Sequence, residues 1–518
     1  VALVTRWPPE EALPRLERGL AALWGVALAA FAAVFAAVAW KTLLYPHEVV
    51  VSEGAVRLAV ESWTGGRALW DPARLTDPPF VIAHYTPLYY LLTAAAQTVV
   101  GPGFLAGRVV SVLSILATSC AAGWLVRRLT GRMAAGVAAG ALWLSFYPVV
   151  FWGTAHRVDA PGILFEAIGI AVYVVAQKER RPGYGAIPWF VAAWATKQVL
   201  FVGLLAVLAH RLMDREGGGV RRAATWAALA WGPIFALFLF WIVWSDGGFW
   251  TATVLGTVSG AADAPWVIVS NSERFFGSPW NVGTFLAAAA AAWFVPHRRF
   301  LGLYLAIGLA AAVALDANFP RFFPPMLAVS ILLPLLLEDL RGHARVRIFA
   351  LACLLLLAFA HLGWELRPLF GERVSRLDPG NARLAAAAEV AACTTGDRPI
   401  LAQDVGMLLS AGRPVTVADP LVLSILVGNG AWDTERLAAG IREGAYEAVI
   451  LNRPVESLDD SEWTTLWMSG PARTALAERY CLARTIEIEG RWVFLEPVRY
   501  LYVPRDPSDP GRCPEVCR

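Results

Sequence analysis

Residues 20–40 read LAALWGVALAAFAAVFAAVAW, 21 positions without a charge. At ~1.5 Å rise per residue such a helix crosses the ~30 Å of hydrocarbon in a bilayer. No small-residue cleavage site follows; Lys41, Tyr45 and Pro46 do, so the segment reads as a retained span rather than a signal peptide. Similar apolar stretches recur to about residue 366. They explain a composition that is 57% hydrophobic and only 16% charged, where a soluble domain carries about 25% charge. The net charge of +3 and the lack of a basic run exclude a nucleic-acid partner.

The candidate spans are 20–40, 106–126, 134–153, 160–177, 184–196, 198–213, 224–244, 281–296, 300–315, 322–338 and 346–364. Lysine and arginine mark cytoplasmic loops. With the N-terminus inside, one set of loops holds Arg127, Arg128 and Arg132, then Lys178, Arg180 and Arg181, then Arg298 and Arg299. The opposite loops are poor in them: Arg157, Arg274 and Arg321 each stand alone. The alternation works only if the apolar segment 87–101 does not cross, so it reads as an interfacial or re-entrant helix. The expected architecture is a polytopic α-helical membrane protein of about eleven spans plus that helix, in the plasma (inner) membrane. Its N-terminus is cytoplasmic and residues 1–370 form the membrane domain.

The first external loop, 41–105, should contain an amphipathic helix over roughly 52–64, capped by Ser52 and closed by Gly65-Gly66. From about 380 the apolar runs shorten. Short strands are expected at 400–402, 415–417 and 449–451, alternating with helices at 382–392, 404–411 and 434–443. They predict a small extracytoplasmic α/β domain over 380–503. A hairpin at 484–495 turns at Glu489-Gly490, and a loose Pro- and Asp-rich tail follows over 504–518. Four of the six cysteines fall after residue 380, where disulfides can form if the region is exported.

Ionisable groups near membrane depth are functional candidates unless they pair or snorkel. Glu53 lies at the start of the amphipathic helix, near Glu48 and His47. A carboxylate there can deprotonate an acceptor hydroxyl while a lipid-linked donor stays in the bilayer; alternatively Glu53, Arg57 and Glu61 form a surface ladder. Asp159, in His156-Arg157-Val158-Asp159, is on the same side, either at the site or as the cap of a helix with Pro161 in its first turn. Lys197-Gln198 sits between two short apolar helices, where a lysine must snorkel, pair or face an anion such as phosphate. Arg321 suits phosphate by its fixed fork of donors, or pairs with Asp316. His84 and Tyr85 open the interfacial helix as anchors or as sugar contacts. There is no nucleotide-phosphate loop, dinucleotide fingerprint, zinc-protease motif or nucleophile elbow. A membrane-embedded activated donor therefore fits better than a nucleotide sugar.

In this order the motifs resemble the GT-C superfamily, in particular the bacterial relatives of aminoarabinose transferase and protein O-mannosyltransferase. The resemblance rests on Ser52-Glu53-Gly54 with AVRLAVESWTGGRALWDP, then HYTPLYYLL, GRVVSVLSIL ending in VRRLTGR, HRVDAP, ATKQ and NFPRFFPP. Asp419-Pro420 and Trp432-Asp433 in the C-terminal region add to it. It implies a glycosyltransferase with a polyprenyl-phosphate sugar donor, a glycan, lipid or protein acceptor, and an external site among membrane lipid. By position it implies Glu53 as base, Asp159 as the second-loop acid, and Lys197 and Arg321 on the donor phosphate, with His84, Tyr85, His156, Arg157 and Gln198 lining the substrates. The commoner family pattern has Asp, or Asp-Glu, where this chain has Ser52-Glu53, so Glu48 is the alternative acid. Some members need a divalent metal; no carboxylate cluster in this sequence calls for one, and none is expected. The competing readings are a lipid-linked sugar flippase, which needs inverted repeats or broken helices with polar groups at mid-depth, and a non-catalytic assembly protein.

Overall fold

The structure is a computed structural model, and it describes residues 10–50, 52–214, 218–257, 264–294, 298–314, 319–366, 382–458, 465–488, 498–506 and 513. Among the described residues six helices are long and apolar enough to cross a membrane: Leu13–Leu44, Phe104–Thr130, Asp159–Lys178, Gly219–Trp244, Pro320–Gly342 and Ala344–Trp364. A seventh candidate is bent by 75° between Met133–Trp143 and Tyr147–Thr154. The remaining expected spans appear as shorter helices, Ile187–Thr196, Val202–Leu212, Pro279–Phe294 and Arg299–Ala314. Segment 87–101 is the 14-residue helix Pro87–Val100.

Small residues decide how these helices approach. A Cβ on Gly123 would lie 2.7 Å from the carbonyl oxygen of Gly136, and one on Gly136 would lie 2.6 Å from that of Gly123. Ser119 Oγ donates to Gly140 O at 2.9 Å across the same seam. The Gly136-x-x-x-Gly140 spacing thus lets two backbones touch, as in membrane helix pairs. Gly131, at φ +73°, ends Phe104–Thr130 in the left-handed conformation that glycine tolerates. Helix Pro320–Gly342 is largely buried and runs through the centre, whereas Gly219–Trp244 is largely exposed and lines the periphery.

The C-terminal region carries a four-stranded sheet in the order β1-β2-β4-β3, with β1 Ile400–Ala402, β2 Ala448–Leu451, β3 Tyr480–Glu487 and β4 Val498–Pro504. β1 and β2 are parallel and the other pairings antiparallel. Residues 415–417 are not a strand of this sheet. They make isolated bridges instead, Val415 to Ile400 and Val417 to Phe80 of the first external loop. Of the hairpin expected over 484–495, the first arm lies in β3, which pairs with β4; residues 489–497, with the turn and second arm, lie outside the described residues. Cys481 and Cys513 form a disulfide.

The C-terminal region is latched to the first external loop. Phe80 N–H donates to Thr416 O at 2.7 Å, and Ala418 N–H donates to Phe80 O at 2.9 Å. Trp432 Nε1 donates to Leu75 O at 2.8 Å and packs edge-on against Phe80. Aromatic burial with satisfied N–H groups of this kind makes a firm joint.

Candidate functional site

The amphipathic helix forms as Glu53–Thr64, but Ser52 does not cap it. Ser52 Oγ accepts from Arg157 Nη1 at 2.6 Å. Glu48 takes the capping role, its Oε2 accepting from Gly54 N–H at 2.9 Å in a fully buried position. Acids at a helix start are favoured by the unpaired N–H groups and the macrodipole.

Glu53 is fully buried against Arg108 of helix Phe104–Thr130. Its Oε1 accepts from Arg108 Nε at 3.0 Å and from His156 N–H at 2.6 Å. Its Oε2 accepts from Arg108 Nη2 at 2.6 Å and from Val49 N–H at 2.5 Å. Four hydrogen bonds fill the acceptor capacity of a carboxylate. Burial pushes its pKa up, but the Arg108 charge and these donors outweigh burial and hold it below the ordinary value. Arg108 also donates to the carbonyls of Thr42, Tyr45 and His47. In this geometry Glu53 has no lone pair to offer an acceptor hydroxyl. It ties the loop at 156 to the end of the first span, and its expected surface ladder reduces to Arg57–Glu61.

Asp159 is the first residue of its helix, with Val158 as the cap. Its Oδ1 accepts from Lys197 Nζ at 2.6 Å and its Oδ2 from Arg157 Nε at 3.1 Å. Lys197 stands at the break between Ile187–Thr196 and Val202–Leu212, in extended backbone. Its ammonium lies 5.7 Å from the centre of the Tyr85 ring, and Arg321 is within Coulombic reach of it. Gln198 Nε2 donates to His84 O at 2.9 Å and Thr253 O at 3.1 Å, fixing that loop. Two cations, Arg157 and Lys197, thus share the one carboxylate of Asp159, and the Arg321 charge adds to theirs at Lys197.

Beside this cluster, His84 Nδ1 lies 3.6 Å from Oδ2 of Asp419, which comes from the C-terminal region. Burial and the charges of Lys197 and Arg157 lower the His84 pKa to about 3, so the imidazole is neutral. Burial raises Asp419 to about 6, against the pull of backbone donors and Arg157. His156 is also neutral, its pKa lowered by burial to about 4, and neither ring nitrogen hydrogen-bonds among the described residues.

The fold therefore brings Arg157, Asp159, Lys197, Gln198, His84, Tyr85 and Arg321 together, with Glu53 and Glu48 behind them as buried braces. Two participants were missed. Arg108 lies inside an apolar run, and an ionisable group at that depth is itself the signal. Asp419 has no local cue beyond Asp-Pro, because its neighbours come from residues 84 and 157. Among the described residues no group of three His, Cys, Asp or Glu side chains is arranged for a metal ion.

No protein-family model and no curated sequence matches the chain. Solved structures do. ArnT from Cupriavidus metallidurans, bound to undecaprenyl phosphate, superposes with a TM-score of 0.56 at 15% identity, over 91% of this chain and 97% of that one. Its apo state gives the same values. The apo oligosaccharyltransferase of Archaeoglobus fulgidus gives 0.51 at 12% identity, over 87% of this chain and 73% of that one.

Proposed function

We propose, from the premise that the chain has the GT-C fold of these two transferases, that it is a membrane glycosyltransferase. It takes a sugar from a polyprenyl-phosphate donor and passes it to a glycan, lipid or protein hydroxyl on the extracytoplasmic side. The observation that carries this reading is the meeting of Lys197 and Arg157 on one carboxylate, with the charge of Arg321 felt at Lys197. Ammonium and guanidinium groups gathered in this way suit a phosphate, to which they donate charge-assisted hydrogen bonds. The ArnT structure has undecaprenyl phosphate as its ligand, and this chain is read as binding the same class of lipid.

The reaction is a single displacement with inversion. The acceptor oxygen attacks the anomeric carbon, and the carbon–oxygen bond to phosphate breaks with its electron pair left on the phosphate. Lys197 and Arg321 stabilise the charge that grows there, and Asp159 orients Lys197 and Arg157. Glu53 and Arg108 act as positioning residues, because the carboxylate already accepts four hydrogen bonds. The N-terminus is cytoplasmic, and residues 380–503 form an extracytoplasmic domain.

Binding of undecaprenyl phosphate to the full chain in lipid nanodiscs tests the reading. Lys197→Ala and Arg321→Ala should each weaken binding about tenfold or more, the loss of about 1.4 kcal/mol. Unchanged affinity in the double variant overturns the reading.

A further inference from the structure

The C-terminal region reaches the cationic cluster through Asp419. The bridge between Phe80 and Val417 holds two chains side by side. Four residues after Phe80 comes His84, and two residues after Val417 comes Asp419. Asp419 caps helix Pro420–Gly428, its Oδ1 accepting from Val422 N–H at 3.1 Å. Its Oδ2 lies 3.6 Å from His84 Nδ1, too far for a full hydrogen bond.

The carboxylates around the cluster differ in what they have left to give. Glu53 accepts four hydrogen bonds, and Asp159 is held by Lys197 and Arg157. Among the described residues Asp419 forms no ion pair with an arginine or lysine. The charged and titratable groups facing it are His84 and Tyr90 from the first loop and the helix after it, and Arg157 from the second loop.

We propose that Asp419 is the catalytic base of this site, taking the proton of the acceptor hydroxyl, with His84 as its positioning partner. The assignment rests on the glycosyl-transfer reading above. The proton moves from the acceptor oxygen to Asp419 Oδ2 as that oxygen bonds to the anomeric carbon. The polyprenyl phosphate departs with the electron pair, and Asp419 later returns its proton to water. The raised pKa of about 6 suits this task, since a general base works best near the ambient pH. His84, held neutral, does not tie up the carboxylate as an ion pair. The acceptor then lies between the C-terminal region and the membrane cluster, so that region takes part in the chemistry.

The test uses the full chain in nanodiscs, undecaprenyl phosphate as binding probe, and a panel of undecaprenyl-phosphate-linked hexose, aminohexose and pentose donors. Asp419→Asn keeps a capping side chain, because asparagine caps as well as aspartate. Donor consumption should fall about 100-fold or more while undecaprenyl phosphate binds as in the wild type. The acid limb of the rate profile near pH 6 should vanish in Asp419→Asn and move in Asp419→Glu and His84→Gln. Infrared difference spectra between wild type and Asp419→Asn should show a carboxyl band titrating near pH 6, whatever the donor. A wild-type rate and limb in Asp419→Asn, or no such band, overturns the assignment. Failure of the transfer reading is distinct, since the wild type then does not bind undecaprenyl phosphate.

Discussion

Arg108 grips both carboxylate oxygens of Glu53, at 3.0 and 2.6 Å, from 55 residues further along the chain. Both side chains are fully buried. A pair of this kind is costly to break from one side, because the charge left behind has neither water nor partner. Arg108→Gln should therefore destabilise the protein by about 3–5 kcal/mol. The double variant Glu53→Gln/Arg108→Met should recover much of that loss. Chemical unfolding in detergent measures both. If Glu53→Gln abolishes transfer while stability is untouched, Glu53 is a reacting group and its role as a brace is wrong.

Asp159 pulls Lys197 and Arg157 together and also cancels one positive charge of the cluster. Binding and chemistry should therefore separate in Asp159→Asn. Removing the carboxylate leaves the cations stronger attractors but free to rotate. Affinity for undecaprenyl phosphate should hold or rise, and transfer should fall by about 10-fold or more as orientation is lost. Weaker lipid binding in Asp159→Asn goes against this division of roles.

Asp419 also predicts how stability depends on pH. Its folded pKa of about 6 stands above the ordinary 3.8. A raised carboxyl favours folding fully below the lower value, and that favour is lost as pH climbs through the higher one. The difference corresponds to about 3 kcal/mol at pH 8. Asp419→Asn, which has no charge to bury, should unfold at higher denaturant than wild type at pH 8 and alongside it at pH 3.5. Equal midpoints at both pH values dispose of the prediction.

Much of this was legible in the sequence, for a physical reason. Apolar windows and the arginine-rich loops Arg127–Arg132 and Lys178–Arg181 mark helices by composition alone. The same asymmetry puts Arg157, Asp159, Lys197 and Arg321 near one face before any coordinates are known. Helix Glu53–Thr64 is marked by its apolar period and Gly65. What sequence pattern does not reveal is partnership across distance. Glu53 reads as a base or as part of a surface ladder because Arg108 is remote, and Ser52 reads as a cap though its hydroxyl is taken by Arg157. Val415-Thr416-Val417 has strand composition, yet its pairing is with Phe80 and Ile400 singly. That bridge is what carries Asp419 to His84.

Gly107 offers the sharpest test of how tightly the second loop is seated. A Cβ there would lie 1.7 Å from the His156 ring, so the imidazole rests directly on the helix backbone one residue before Arg108. His156 N–H donates to Glu53, and Asp159 follows three residues on. A flat, rigid ring in a filled site cannot yield by tenths of an ångström, and overpacking costs about 1–3 kcal/mol. Gly107→Ala should lower stability by that amount and should also reduce transfer, since the ring carries Asp159 and Arg157 with it. His156→Ala opens the space. In the double variant the alanine at 107 should then cost little, giving a coupling of about 1–3 kcal/mol in the mutant cycle. Additive losses would mean that His156 is not what Gly107 accommodates, and that the loop is held to the helix by the Glu53 and Ser111 hydrogen bonds instead.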